Sequence, residues 1–261
     1  MTPVERLESA LRSPKSSTAL VAYLTGGWPT RDGFADLLRS VASVADAVEI
    51  GVPFSDPMAD GPTIQRTSQE ALKEGVTLEW ILESLTRMDP KPDAPILLMG
   101  YLNPFLAFGL ERLSEVAHAA GVSGFIVPDL PLEEADEFRS LMANKGMGLV
   151  QLVTPVTPAH RRQQLTQASR GFVYAVTVTG ITGGDVAAGG QVAETLADLR
   201  ASTSVPVMAG FGIRRPDQVT ALTPWVDGVI VGSALLDCIR DGRDPVSFLS
   251  TLSSAAQEVS S

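Results

Sequence analysis

Ala47-Val48-Glu49-Ile50-Gly51-Val52, followed by the loop Pro53-Phe54-Ser55-Asp56-Pro57-Met58-Ala59-Asp60-Gly61-Pro62-Thr63, sets one carboxylate inside an otherwise apolar run. A short apolar run bounded by turn residues has the length of a buried strand. Side chains alternate along a strand, so Val48, Ile50 and Val52 share one face and Ala47, Glu49 and Gly51 share the other. Such near-continuous apolar strands belong to parallel sheets covered by helices. The bulky face turns outward to those helices. Glu49 and its small neighbours then face the interior of a closed sheet, near the strand's C-terminal end.

Seven more runs of this kind flank it: Ala19–Leu24, Ile96–Tyr101, Gly124–Asp129, Gly148–Val153, Gly171–Val178, Pro206–Gly212 and Gly228–Gly232. Between them lie segments of helical period, such as Phe34, Leu37, Leu38, Val41 and Val44, or Val192, Leu196 and Leu199. No composition break or linker separates the units. An open dinucleotide-binding sheet would need a G-x-G-x-x-G turn after the first strand, but Thr25-Gly26-Gly27-Trp28-Pro29 stands there. Residues 1–261 are therefore expected to form a single α/β domain, a (β/α)8 TIM barrel. An extra helix should precede it, with Thr2 as cap, Pro3 in the first turn, Glu5 completing a capping box, and Val4, Leu7 and Leu11 on one face.

Composition narrows the ligand. A formal charge of −10 over 261 residues argues against nucleic acid or an anionic membrane as partner. It leaves room for a phosphorylated small molecule, since backbone amides bind phosphate in acidic proteins. No apolar stretch approaches the ~20 residues of a membrane helix, and the N-terminus lacks the pattern of a secretory signal. The single cysteine, Cys238, sits among Leu235, Leu236 and Ile239, where it reads as a buried small hydrophobe and excludes an intrachain disulfide. A soluble cytoplasmic protein is expected.

The C-terminal ends of barrel strands carry the active site, and Glu49 is near one. A buried carboxylate is costly when ionised, so desolvation raises its pKa toward neutrality, suiting a group that gives and takes protons. The competing view is a structural Glu hydrogen-bonded to a neighbouring strand. In the loop that follows, spacing leaves Asp56 and Asp60 equally open as a second catalytic carboxylate.

Glycine-rich turns follow the last three strands: Thr179-Gly180-Ile181-Thr182-Gly183-Gly184, Gly210-Phe211-Gly212-Ile213 and Gly232-Ser233-Ala234. At these strands they predict a phosphate site made of backbone N–H groups and a helix N-terminus. Lys15, Lys73, Lys91 and Lys145 all lie outside the strands, which disfavours Schiff-base and pyridoxal phosphate chemistry. His118, His160 and Cys238 have no metal-ligand spacing. No metal or cofactor is expected. What is left is acid–base work by carboxylates on a phosphorylated small molecule, with a sugar-phosphate epimerase or isomerase among the options.

Glu49-Ile50-Gly51-Val52-Pro53-Phe54-Ser55-Asp56-Pro57, continuing through Ala59-Asp60-Gly61-Pro62-Thr63-Ile64-Gln65, closely resembles the signature of the tryptophan synthase alpha subunit family. The resemblance runs on through Gly100-Tyr101-Leu102-Asn103-Pro104, Pro128-Asp129-Leu130-Pro131, Thr179-Gly180-Ile181-Thr182-Gly183, Gly210-Phe211-Gly212-Ile213 and Gly232-Ser233. It implies a lyase that cleaves indole-3-glycerol phosphate to indole and glyceraldehyde 3-phosphate. By the same resemblance Glu49 is the proton shuttle, Asp60 binds the indole N–H, and Tyr174 stands beside the glutamate. Thr182 belongs to a mobile loop over the substrate, while Tyr23, Met99, Ile126 and Phe211 line the indole pocket. Gly183, Gly212, Gly232 and Ser233 form the phosphate cradle, and Asp56 belongs to a loop facing the partner. That partner is a pyridoxal-phosphate-containing beta subunit, joined in an αββα complex. A stand-alone lyase releasing free indole and a catalytically idle barrel are the alternatives. One departure stands out: family members often carry an arginine soon after the Thr-Gly of the mobile loop, where Gly183-Gly184-Asp185-Val186 occurs here. That bears on loop closure and on communication with the partner.

Overall fold

A computed structural model describes residues 1–176, 190–210 and 212–254. Eight parallel strands close into a barrel in chain order: β1 Ala19–Thr25, β2 Ala47–Gly51, β3 Ile96–Met99, β4 Val122–Ile126, β5 Gly148–Val153, β6 Val173–Val176, β7 Val207–Gly210 and β8 Gly228–Val231. Around them run α1 Pro3–Arg12, α2 Phe34–Val44, α3 Pro62–Lys73, α4 Leu78–Arg87, α5 Leu102–Phe108, α6 Leu110–Ala120, α7 Asp136–Asn144, α8 Ala159–Ala168, α9 Gln191–Ser202, α10 Pro216–Leu222, α11 Ser233–Arg240 and α12 Pro245–Ser254. The expected TIM barrel with its extra N-terminal helix is the observed architecture.

The alternation in β2 divides the apolar core in two. Val48, Ile50 and Val52 join the layer between strands and helices. Ala47 joins a second cluster inside the barrel, with Ala19, Val21, Leu97, Ile126, Val150, Phe172, Met208 and Ile230. Glu49 is the register partner of Tyr23 on β1 and of Leu97 on β3, so it stands inside the barrel just above that apolar floor.

Helix α1 closes the opposite end, its buried Leu7 and Leu11 belonging to the interior cluster. The Thr2–Glu5 capping box forms as expected. Val4 N–H donates to Gly146 O at 2.9 Å, and Glu8 Oε1 accepts Gly171 N–H at 3.0 Å just before β6. Asp46 Oδ2 takes Leu20 N–H and its Oδ1 takes Lys15 N–H, both at 2.8 Å, tying the entries of β1 and β2 together.

Strand limits shift where turns intervene. Tyr101 caps α5 instead of ending β3, and Asp129 Oδ1 accepts Leu102 N–H at 2.8 Å there. Gly121, in the left-handed region at φ 86°, ends α6, so β4 starts at Val122. Cys238 is fully buried, as its neighbours imply. Among the described residues no helix is long and apolar enough to cross a membrane.

Candidate active site

A cavity of ≈ 220 Å³ opens at the C-terminal end of the barrel, and Tyr23, Glu49, Asp60, Met99, Tyr174, Gly212, Gly232 and Ser233 are on its wall. Strands β1, β2, β3 and β6 supply the first residues, the loop after β2 supplies Asp60, and the turns after β7 and β8 supply the last three.

Glu49 has no exposed surface, and neither carboxylate oxygen has a hydrogen-bond partner among the described residues. Burial alone pushes its pKa up to about 8. The competing view, a structural Glu hydrogen-bonded to a neighbouring strand, finds no such bond among the described residues. Around it, two tyrosines lie over glycines. A methyl group on Gly51 would come within 1.9 Å of Tyr23 Oη, and one on Gly210 within 2.5 Å of Tyr174 Oη. Glycine is required at both positions because aromatic rings occupy the space of a Cβ. Burial raises both phenols well above the ordinary tyrosine range, so they stay neutral around the carboxyl.

Asp60 is half-buried at the mouth. Burial raises its pKa to about 6, and a hydrogen bond from the Tyr101 hydroxyl opposes the rise. The same hydroxyl accepts Ala59 N–H at 2.8 Å, and the Tyr101 ring packs against Phe54, tilted by 33° with centroids 5.4 Å apart. Gln65 Nε2 donates to Asp60 O at 2.8 Å, fixing the loop to the first turn of α3. Asp56 is exposed, bonded to the Ser55 hydroxyl, and is not on the cavity wall. Of the two aspartates that spacing left open, Asp60 faces Glu49's cavity.

At the other end of the cavity Gly212 takes φ 80°, a conformation that favours glycine. Gly232 precedes α11, whose first intrahelical bond runs from Leu235 N–H to Gly232 O at 2.8 Å. The amides of Ser233 and Ala234 come before that bond, at the positive end of the helix dipole. Ile126 is fully buried in the barrel interior and is not on the cavity wall. Thr182, Gly183 and Phe211 lie outside the described residues.

Sequence reasoning passed over Tyr101, which braces Asp60, and the apolar wall residues Ile64, Ile213 and Ile230. It also passed over Arg214, although a cation two residues beyond a glycine turn at the phosphate end is visible in Gly212-Ile213-Arg214. Among the described residues no group of three or more His, Cys, Asp or Glu side chains is arranged to hold a metal.

At pH 7 this cavity presents one carboxyl that holds its proton, one carboxylate that has lost it, an apolar wall, and a nest of amides. Together they can protonate a carbon or an oxygen, stabilise a developing cation, and bind a phosphate ester.

A family model described as "Tryptophan synthase alpha chain" matches residues 10–260. The tryptophan synthase alpha chain of Nitratidesulfovibrio vulgaris strain DP4 is 45% identical over 247 residues, covering 94% of this chain and 96% of that protein. That of Geobacter sulfurreducens is 43% identical over 247 residues, covering 92% and 94%. The crystal structure of tryptophan synthase subunit alpha from Legionella pneumophila strain Paris superposes with a TM-score of 0.86 at 30% identity, over 99% of each chain. The chain belongs to the tryptophan synthase alpha chain family.

Proposed function

We propose that Glu49 and Asp60 of this chain divide between them the lyase reaction of its family, cleavage of indole-3-glycerol phosphate to indole and glyceraldehyde 3-phosphate. The observation that carries this reading is Glu49 itself: fully buried on the cavity wall, without a hydrogen-bond partner among the described residues, and protonated up to about pH 8. A structural carboxyl gains nothing from that placement, whereas a proton shuttle requires it.

Indole is a leaving group only once its C3 carries a proton. Glu49 gives its proton to C3, and the positive charge that results spreads to the ring nitrogen. Asp60, ionised at neutral pH, accepts the N–H hydrogen bond and stabilises that charge. The C3–glycerol bond then breaks and its electrons return to the ring. The adjacent hydroxyl becomes the aldehyde as its proton passes to Glu49, which is restored to its starting form. Met99, Ile64 and Ile230 give the ring an apolar wall. The phosphate goes to Gly212, Gly232 and Ser233; the family resemblance assigns Gly183 to the same role and Thr182 and Phe211 to substrate binding. Tyr23 and Tyr174 hold the carboxyl in a dry, neutral surround.

The reaction takes place in the cytoplasm beside a pyridoxal-phosphate-containing beta subunit, in an αββα complex that consumes the indole. Support for a partner at this end of the barrel comes from Met58, 82% exposed on the Asp60 loop, and Leu106, 52% exposed on α5.

Incubation with indole-3-glycerol phosphate tests the assignment, with indole and glyceraldehyde 3-phosphate both quantified. Glu49→Gln should lose roughly 10²–10⁴-fold in kcat, the usual worth of a positioned acid–base group. Asp60→Asn should lose roughly 10²–10³-fold, as for a group that stabilises transition-state charge. Equal rates for wild type and Glu49→Gln would contradict the shuttle.

A further inference from the structure

The cavity wall carries two acids, Glu49 and Asp60, and among its described residues a single cation, Arg214. A phosphate dianion entering such a cavity meets net negative charge unless that cation turns to it. Arg214 follows Gly212-Ile213 directly, beside the turn that carries Ser233. Its Nη1 is held at 3.0 Å by Asp237 Oδ2, with the arginine side chain 54% exposed and the aspartate 29%. Asp237 lies one helical turn beyond Ser233 on α11, on the same face of that helix.

We propose that Arg214 is a further ligand for the substrate's phosphate and that Asp237 stores its guanidinium beside the cradle until the phosphate arrives. The proposal rests on the lyase reading above and names the charge that the anionic end of the substrate requires. Three observations support an exchange of partners. A half-exposed ion pair contributes little, so Asp237 holds the guanidinium weakly. A phosphate dianion offers twice the charge and oxygen pairs that match the guanidinium fork. Asp237 also keeps company after the exchange: Thr63 Oγ1 donates to its Oδ1 at 3.2 Å, and Arg240 Nη1 stands 3.8 Å away. Arg240 Nη2 lies 4.0 Å from Glu70 Oε1 and its guanidinium sits over the Trp28 ring at 5.5 Å, so this second cation is held in place beside Asp237.

Thr63 is also on the cavity wall, in the first turn of α3, three residues after Asp60. The Asp237–Thr63 hydrogen bond therefore joins the phosphate end of the site to the segment that carries the indole-binding carboxylate.

Calorimetric binding of two separate probes, inorganic phosphate and indole, tests the proposal on wild type, Arg214→Ala, Arg214→Lys and Asp237→Asn. Arg214→Ala should weaken phosphate binding at least tenfold and leave indole binding unchanged. In turnover it should raise KM for indole-3-glycerol phosphate by a similar factor, with kcat nearly kept. Arg214→Lys, which keeps the charge and loses the fork, should fall between, about threefold weaker than wild type. Asp237→Asn should bind phosphate as tightly as wild type or up to about threefold tighter, because the stored guanidinium is freed while an amide oxygen still accepts from Thr63. If Arg214→Ala binds phosphate like wild type, the proposal is overturned. A parallel weakening in Arg214→Ala and Asp237→Asn also overturns it, since the pair would then serve only to brace the loops. Wild type that binds neither phosphate nor indole would overturn the lyase reading itself, a result distinct from the other two.

Discussion

Glu49 concentrates the chemistry into one titration. In the unfolded chain its carboxyl ionises near the ordinary value of 4.5, and in the folded barrel near 8. Between those values the folded state holds a proton that the unfolded state has lost, so this group makes stability fall as pH rises. The effect is absent below about 4.5, accumulates at up to about 1.4 kcal/mol per pH unit, and is complete above about 8. Glutamine carries no such penalty. Denaturant midpoints of wild type and Glu49→Gln should therefore lie close at pH 5, with the variant pulling ahead by several kcal/mol at pH 8. A gap that stays constant with pH would show that Glu49 is not a displaced acid. The carboxylate itself was legible in the sequence, as a lone charge on the small face of an apolar strand. Its neighbours were less so. Nothing in the spacing of Tyr23, Tyr174 and Tyr101 announces that they converge, because barrel closure brings together residues far apart in the chain. Asp60 parted from Asp56 only through the family resemblance, since both are turn aspartates in one proline-stiffened loop.

At the scale of elements, the eight strands were visible as apolar runs; β5 matches expectation at both ends, and the other described ends fall within three residues of it. The errors have local causes. Tyr101 was read as strand because aromatic residues favour strands, but in the fold it turns to cap α5 and brace Asp60. The N-terminal helix could be read from its capping box and its Leu7–Leu11 spacing, whereas its role as the floor of the barrel could not. That role is energetic. Leu7 and Leu11 are 0% and 1% exposed and extend the interior cluster on which the Glu49 layer rests. Truncating Leu7→Ala should cost about 2–5 kcal/mol, in line with other large-to-small core changes. Urea unfolding measures it; a loss below about 0.5 kcal/mol would mean that α1 docks loosely and contributes little to the floor.

For the whole molecule, the site sits on the rim of the barrel, and the loop after β2 exposes Asp56 and Met58 there. The loop carrying Asp60 also carries exposed Met58, so a partner of the kind proposed, seated on Met58 and Leu106, would act on the carboxylate through one short segment. Adding a beta subunit should raise the rate of indole release on the order of tenfold, the usual scale of coupling between sites. Leu106→Asp should remove that rise while leaving the isolated chain's rate unchanged. An unaltered rate with saturating beta subunit would favour a free-standing lyase on the same barrel. Surface loops and their partners are the part of the molecule the sequence discloses least, because exposed residues obey no packing rule that pattern reading can use.

Whether the buried carboxyl of Glu49 keeps its proton through neutral pH, and so can give it to carbon, is read most directly by titrating that carboxyl. Difference infrared spectra of wild type against Glu49→Gln, taken from pH 4 to 10, isolate its C=O stretch. A protonated band should persist at pH 7 and disappear with a midpoint near 8. A midpoint near 4.5, leaving an ionised carboxylate at neutral pH, would contradict the shuttle.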